Sequence, residues 1–199
     1  MKNLSKKLLS ILGLTIFGLF LVSNTTVSAE TLENENLIKL DYTIDEIRKM
    51  SLGEYYQNIF PETFNEFTDE QKEELFNTPY ERNQNSKGVV DFGPGYGSSF
   101  LTKTSNNRFN YSVTTNLKFT DGSVAKKIKH SSVLVDSNGT AWMIRSDSKS
   151  DSNYFNMSGY KDVTAGRYYL ETVHTVTAPS GYWPSTASTV SSSGWVYSY

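Results

Sequence analysis

The chain has 199 residues, of which 19 are Lys or Arg, 21 are Asp or Glu, 2 are His and none is Cys. The net charge of −2 argues against a nucleic-acid binder, which normally carries a basic surplus. The absence of Cys excludes a disulfide framework, a thiol nucleophile and a Cys zinc site. The apolar fraction of 37% is high enough for a folded core rather than a disordered chain.

Residues 1–29 have the pattern of a secretory signal peptide. An uncharged, largely apolar run covers residues 8–22, and small residues close the segment at Val27-Ser28-Ala29. The run is short for a membrane anchor, because spanning the hydrocarbon takes about 20 residues. We therefore predict cleavage between Ala29 and Glu30 and an extracellular, secreted protein without an integral membrane span. The positive start is provided by Lys2, Lys6 and Lys7.

The charge is divided unevenly along the rest of the chain. Residues 30–87 carry a net charge of −8, whereas residues 88–199 carry +3 and contain 32 Ser or Thr. The polar stretch at 83–88 is typical of a linker. The predicted organisation is therefore a signal peptide (1–29), an acidic helical segment (30–87) and a β domain (88–199).

Three capping boxes predict three short helices within the acidic segment. The predicted helices span residues 44–51, 52–60 and 69–77. None is long enough to be stable alone in water, so their apolar faces must pack on each other or on the β domain. The segment is either a helical subdomain or a pro-segment that shields the β domain until it is removed. The capping pairs are Thr43 with Glu46, Ser51 with Glu54, and Thr68 with Gln71.

The β domain is indicated by alternation of apolar and polar residues from Phe109 to Phe119. Period two over this length predicts a strand with one buried face and one wet face, as in an antiparallel sheet. Asp121-Gly122 predicts a hairpin turn into a strand over 124–135, and Ser137-Asn138-Gly139 predicts the next turn. About seven short strands predict a mainly β fold, an antiparallel sandwich preceded by the short acidic helices. The other predicted strands cover residues 98–104, 140–146, 154–157, 167–177 and 195–199.

Two stretches carry a resemblance to known proteins. The sequence from Val163 to Leu170, Val-Thr-Ala-Gly-Arg-Tyr-Tyr-Leu, resembles the turn before the penultimate strand of immunoglobulin-like sandwiches. Tyr111 to Tyr199 is similar to a family of small secreted Gram-positive proteins of uncharacterised function. That family has a Ser/Thr/Tyr-rich β domain with a Gly-x-Tyr-Tyr…His strand, here Gly166 to His174. The resemblance implies an immunoglobulin-like sandwich and offers no catalytic residues.

Residues suited to catalysis or metal binding are few. His130 and His174 lie in predicted strands, where we interpret them as packed core residues. Asp147 and Asp151 offer oxygen ligands, but their loop lacks the Gly turn of an EF-hand calcium site. The Gly-rich stretch 93–98 precedes a strand instead of a helix, which disfavours a phosphate-binding loop. We predict no enzymatic activity, no metal ion and no cofactor, and a hydrolase is the least favoured function.

Aromatic residues are the remaining functional signal. Tyr182 and Trp183 lie in a Pro-flanked loop and are the candidate ligand-contacting residues, because exposed Tyr and Trp offer an apolar face with a polar edge. The alternative is that Trp183 covers the end of the sandwich while the Tyr182 hydroxyl stays in contact with water.

The predicted function is a secreted, non-catalytic protein that binds an extracellular or cell-envelope ligand. The alternative function is an exported toxin or antimicrobial protein restrained by the acidic segment. A pore-forming hairpin is disfavoured because residues 125–130 carry charge on both faces.

Overall fold

The computed structural model describes residues 38–80, 89–91, 93–182 and 184–199. The predicted signal peptide, the Ala29–Glu30 cleavage site, the predicted linker and Trp183 lie outside these residues. Within them, four short helices precede the longer strands. The helices are α1 (Ile44–Ile47), α2 (Leu52–Ile59), α3 (Pro61–Asn65) and α4 (Asp69–Phe76).

Nine strands of the described chain form two antiparallel sheets. The five-stranded sheet has the order β1-β6-β5-β8-β9, and the four-stranded sheet has the order β2-β3-β4-β7. The first two strands are short edge strands, and the other seven are 9 to 13 residues long. The prediction of a mainly β, antiparallel two-sheet fold is confirmed. The strands are β1 (Ile38–Lys39), β2 (Val89–Asp91), β3 (Gly95–Ser105), β4 (Arg108–Leu117), β5 (Lys127–Asp136), β6 (Thr140–Ser150), β7 (Tyr154–Asp162), β8 (Gly166–Thr177) and β9 (Thr186–Ser198).

The two sheets pack face to face across a hydrophobic core. Strand β4 shows the alternation that the sequence predicted, with every second side chain buried. Phe109, Tyr111 and Val113 of β4 pack against Leu134 and Leu170 from the opposite sheet. A second cluster closes one end of the sandwich and consists of Leu117, Phe119, Ala125, Ile128 and Val176.

The helices cover the other face of the five-stranded sheet. Their aromatic rings share one core with side chains of β5, β8 and β9. The Tyr56 hydroxyl hydrogen-bonds with the Thr175 hydroxyl at 3.0 Å, and the Tyr80 hydroxyl donates to the Glu171 carboxylate. Strands β5 and β8 are therefore buried on both faces. For this reason their side chains do not alternate between buried and exposed positions. The shared core includes Tyr55, Tyr56, Phe60, Phe67, Tyr80, Val133, Val135, Tyr169, Val173 and Val190.

Capping hydrogen bonds start the longer helices where the sequence placed them. The Ser51 hydroxyl accepts from the Glu54 backbone N–H while the Glu54 carboxylate accepts from the Ser51 N–H, so that α2 begins at Leu52. Thr68 and Gln71 form the same reciprocal pair at the start of α4. The first helix is shorter than predicted and ends at Ile47, and α3 is an additional helix that begins at a proline.

One predicted hairpin is wrong. Asp121-Gly122 turns the chain, with Gly122 at φ 77°, but it does not join two paired strands. Strand β4 pairs with β3 and β7, whereas β5 pairs with β6 and β8. The connection therefore passes from one sheet to the other, because the buried faces of β4 and β5 face each other across the core. The turn at Ser137-Asn138-Gly139 does join the paired strands β5 and β6.

The Ser/Thr-rich tract before Trp195 lies outside the strands that the sequence predicts, of which the last begins at residue 195. It does not belong to a loop but forms most of β9, which pairs with β8 along its length. Its hydroxyls find partners inside the sheet: Ser191 lies 2.6 Å from the His174 ring and Ser188 lies 3.0 Å from the Thr175 hydroxyl. These hydrogen bonds offset the cost of placing polar side chains in the strand.

The arrangement of the seven long strands has features of immunoglobulin-like sandwiches. In chain order the first, second and fifth long strands form one sheet, and the third, sixth and seventh lie in the other. Constant-type immunoglobulin domains differ from this only in the sheet that holds the fourth strand. At the start of β8, the Tyr168 hydroxyl donates to the Thr164 carbonyl at 3.0 Å, as in a tyrosine corner. The immunoglobulin-like assignment itself stays a prediction.

Candidate functional site

The exposed side of the four-stranded sheet, here called the outer face, is the candidate binding surface. Because β4 buries every second residue against the other sheet, the alternate side chains of β3, β4 and β7 point outward. The outer face consists of Tyr96, Phe100, Thr102, Arg108, Asn110, Ser112, Thr114, Asn116, Tyr154, Asn156, Ser158, Tyr160 and Asp162.

Four aromatic rings stand on this outer face. Tyr96 is 43% exposed, Phe100 46%, Tyr154 51% and Tyr160 44%. Strand register places Tyr96 beside Asn116 and Asn116 beside Tyr154, in one row across three strands. Tyr154 and Tyr160 are six residues apart on one strand, which corresponds to about 20 Å. The rings thus border a patch about 20 Å long and two strand spacings, about 10 Å, wide.

Amide and hydroxyl groups lie between these rings. The Asn116 side-chain amide donates to the Tyr96 hydroxyl at 3.3 Å. The Asn156 amide donates to the Ser112 hydroxyl at 3.0 Å and to the Thr114 hydroxyl at 2.8 Å. This cross-strand network holds the polar groups in fixed positions between the aromatic rings.

The outer face carries one pair of charged side chains, at one end. The Arg108 guanidinium donates to both Asp162 carboxylate oxygens, at 2.6 and 2.7 Å, and lies 4.3 Å above the Tyr160 ring. These hydrogen bonds from Arg108 lower the pKa of Asp162. Among the outward residues of β3, β4 and β7, no charge is left uncompensated.

The predicted ligand-contacting loop lies at the end of the sandwich. The Tyr182 ring is half-buried and packs edge-to-face on Phe119, with 5.1 Å between ring centroids. Its hydroxyl hydrogen-bonds with the Asp121 carboxylate, which raises the pKa of Tyr182. Trp183 lies outside the described residues. A ligand-binding role for Tyr182 and Trp183 stays a prediction.

Both histidines are completely buried between the two sheets. The His130 Nε2 lies 2.8 Å from the Thr115 hydroxyl, which lies 2.9 Å from the His174 Nδ1. The His174 Nε2 lies 2.6 Å from the Ser191 hydroxyl, and Ser191 lies 2.6 Å from Ser99. Within the described residues, the His130 Nδ1 has no hydrogen-bond partner.

With both rings neutral, one assignment of donors and acceptors fits these contacts. The His130 Nε2–H donates to the Thr115 hydroxyl, the Thr115 hydroxyl donates to the His174 Nδ1, and the His174 Nε2–H donates to the Ser191 hydroxyl. Every contact in the chain is then satisfied. Burial lowers the pKa of His130 to about 3 and the pKa of His174 well below its ordinary value. The close Ser191–His174 contact resembles half of a hydrolytic site, but both groups are enclosed by the sandwich, where no substrate reaches them.

A cleft of about 460 Å³ lies between the helices and the strands β5 and β6. The Glu66 carboxylate accepts from the Lys129 ammonium at 2.7 Å and from the Lys127 ammonium at 3.1 Å, and these hydrogen bonds lower the pKa of Glu66. The Lys129 side chain is buried, and burial lowers its pKa. The cleft is lined by Ile59, Phe60, Pro61, Glu62, Thr63, Glu66, Lys129, Ile144, Ser146, Asp147 and Ser148.

Sequence reasoning missed the four outer-face aromatics. The alternation of β4 predicted a wet face, but the flanking strands were predicted too short to reveal their own pattern. Tyr96 lay in the Gly-rich stretch that we interpreted as a lead-in to the first strand. Tyr154 and Tyr160 are an even number of residues apart, which would have placed both on one face had β7 been predicted at its full length.

No known protein family, curated protein or solved structure matches this chain. The resemblance to a family of small secreted Gram-positive proteins therefore stays a prediction. The described residues contain no cluster of three or more side chains suited to holding a metal ion. None of the helices in the described ranges is long and apolar enough to cross a membrane.

Proposed function

We propose that this protein is an extracellular, non-catalytic binding protein whose outer face contacts a neutral polysaccharide. The observation that carries the proposal is the set of four half-exposed aromatic rings around amide and hydroxyl groups, where the outward side chains of β3, β4 and β7 include no unpaired charge. Sugar rings present apolar C–H faces and hydroxyl edges. The aromatic rings match the first, and the Asn, Ser and Thr side chains match the second.

The rings are held by the strands of the sheet, and this arrangement favours binding of an extended ligand. All four rings stand on strands, and β4 is hydrogen-bonded on both sides. Tyr and Phe lose little conformational entropy on binding, since only two torsion angles need to be fixed. A sheet face about 20 Å long offers room for several sugar units in a row.

The test of the outer face is a double variant, Tyr96→Ala with Tyr154→Ala. Sedimentation with three insoluble neutral polymers, chitin, cellulose and β-1,3-glucan, should show binding to at least one of them, and the variant should bind that polymer about tenfold more weakly. The unfolding temperature should change little, because both rings are about half exposed. The control is Phe76→Ala, which removes a ring of similar exposure from the helical layer, outside both proposed binding surfaces.

Two results would contradict the proposal. One is that none of the three polymers sediments the protein. The other is that the double variant binds as well as the unsubstituted protein, or that the Phe76→Ala control loses binding to the same extent.

Export of the protein is part of the same proposal. It is supported by the Lys-rich start, the uncharged run and the Val27-Ser28-Ala29 site. N-terminal sequencing of protein recovered from culture medium should find Glu30 as the first residue.

One contact supports the alternative of an exported toxin restrained by its acidic segment. Glu66 of that segment joins Lys127 and Lys129 of β5, in agreement with the opposite net charges of the two parts. The same contact also fits a permanent helical layer. The two interpretations differ in whether the helices are removed after export.

A further inference from the structure

A second exposed aromatic surface, here called the strip, runs over the end of the five-stranded sheet. Trp195 packs on Tyr169 with 5.4 Å between ring centroids, and the Arg167 guanidinium lies 4.8 Å from Trp195 and 5.2 Å from Tyr197. Tyr197 and Tyr199 stack at 6.4 Å with nearly parallel planes. The Lys103 ammonium lies 4.2 Å from the Tyr199 ring. The strip is the row Trp195, Arg167, Tyr197, Tyr199 and Lys103, in which Trp195 rests on the buried ring of Tyr169.

The backbone explains why these groups meet. Arg167 pairs with Tyr197, and Tyr169 pairs with Trp195, in the register of β8 with β9. The register shifts between Tyr169 and Glu171, and Gly194 has φ 70°. This bulge changes the direction of the side chains in the last part of β9. Trp195 and Tyr197 then lie on the same side of an edge strand, 39% and 46% exposed.

Neither cation of the strip belongs to an ion pair with another described residue. None of the ion pairs in the described part of the chain includes Arg167 or Lys103. A guanidinium that stacks on ring faces keeps its N–H donors in its own plane, where they can bind a carboxylate in bidentate fashion. The strip therefore combines flat apolar faces with two positive charges that form no ion pair within the described residues. In this it differs from the outer face, where Arg108 is paired with Asp162.

We propose that the strip binds an acidic polysaccharide, in which the sugar rings carry carboxylate groups. The rings of Trp195 and Tyr197 are two residues apart on one strand, about 7 Å, so that neighbouring sugar units can contact the exposed parts of successive rings. The positions of Arg167 and Lys103 at two points along the row match a polymer with repeated negative charge. This inference does not rest on the outer face, which consists of other residues, and the outward side chains of β3, β4 and β7 there include no unpaired charge.

The composition of the strip argues for a polysaccharide over a lipid surface. Proteins that insert into the membrane interface present aliphatic side chains such as Leu beside the aromatic ones. The strip contains no exposed aliphatic side chain, and two of its three exposed rings are Tyr, which carries a hydroxyl. Hydrogen bonding from hydroxyls and guanidinium suits a sugar acid more than an acyl chain.

The experiment is affinity electrophoresis of the purified protein in native gels that contain polygalacturonate. The matched neutral probe is the fully methyl-esterified polymer, which has the same sugar rings without charge. The double variant Arg167→Gln with Lys103→Gln should bind polygalacturonate about tenfold more weakly. The control Lys149→Gln changes an exposed lysine on β6 and should bind like the unsubstituted protein. Trp195→Ala should also weaken binding, which a purely electrostatic attraction would not show.

The outcomes separate this proposal from its competitors. Equal retardation by the esterified polymer, or an equal loss in Lys149→Gln, would overturn it. Sedimentation with phosphatidylglycerol vesicles but no retardation by polygalacturonate would overturn it in favour of a lipid surface. The outer-face variant Tyr96→Ala with Tyr154→Ala should bind polygalacturonate normally, so that failure of the strip and failure of the outer face are measured separately. Unfolding temperatures of all variants establish that each one is folded.

Discussion

At the scale of single residues, the two buried histidines make the stability of the sandwich depend on pH. A buried imidazole can stay neutral by donating one proton and accepting another, and the chain from His130 to Ser99 satisfies this requirement. A protonated imidazole must donate at both nitrogens. In the case of His174 this would take away the acceptor to which the Thr115 hydroxyl donates, and burial adds a further cost. The same residues therefore stabilise the sandwich at neutral pH and weaken it in acid.

We expect the protein to lose stability as the pH falls from about 7.5 to about 5.5. Below the ordinary His pKa of about 6.5, the unfolded chain binds protons that the folded protein does not, since burial lowers both histidine pKa values. Over this range each histidine should reduce the free energy of unfolding by about 1.4 kcal/mol. Urea unfolding at the two pH values measures the loss. The double variant His130→Gln with His174→Gln should lack most of this dependence, and an unchanged dependence would contradict the assignment.

At the scale of elements, local hydrogen bonds decide where the short helices begin. Helix α2 and helix α4 have eight residues each, too few to be stable in isolation. Reciprocal caps at Ser51 and Thr68 satisfy backbone N–H groups that the first turn leaves without partners. Packing of Tyr55, Tyr56 and Leu75 into the shared core then supplies most of the stability.

Removing a cap should have a measurable but limited effect. Ser51→Ala leaves the Glu54 backbone N–H without its side-chain acceptor and should lower the free energy of unfolding by about 1 kcal/mol. Ser51→Asp keeps an oxygen acceptor at the same position and should restore most of this loss. Urea unfolding of the three proteins compares them. Equal destabilisation by both substitutions would show that the cap is not responsible.

At the scale of the whole molecule, the helices and the two sheets form three layers. The five-stranded sheet is the middle layer, and its side chains contribute to the core on both sides. Its helix-facing side includes Val133, Tyr169 and Val173, together with the Glu171 carboxylate. Any process that removes the acidic segment exposes this surface to water. The described helices and sheets also belong to one compact unit.

Without the helices, the predicted β domain of residues 88–199 should therefore be less stable than the complete chain. We expect the complete chain to unfold in one cooperative transition, because helices and sheet share a core. The fragment 88–199 should keep a β-type circular dichroism spectrum but melt at a lower temperature and bind a hydrophobic dye. A fragment that melts at the same temperature as the complete chain and binds no dye would show that the helical layer contributes nothing to stability.

The sequence by itself determined the features that depend on neighbours along the chain. Alternation from Phe109 to Phe119 predicted β4, the Ser51 and Thr68 pairs predicted two helix starts, and Gly139 marked a true hairpin. These patterns are local, since a cap or a strand face involves residues only two or three positions apart. The mainly β fold followed from them.

Only the tertiary structure decided which strands pair and which surfaces stay open. The pair Asp121-Gly122 predicts a turn, but it does not predict whether the chain then returns to the same sheet or crosses to the other one. Strands β5 and β8 lost their alternation because the helices cover their second face. The outer face combines side chains of β3, β4 and β7, which strand register places side by side. The strip combines side chains of β8 and β9, joined by register, with Lys103 of β3, which reaches Tyr199 from the other sheet. Their residues are up to 96 positions apart in the chain, as with Lys103 and Tyr199, so no local pattern could have joined them.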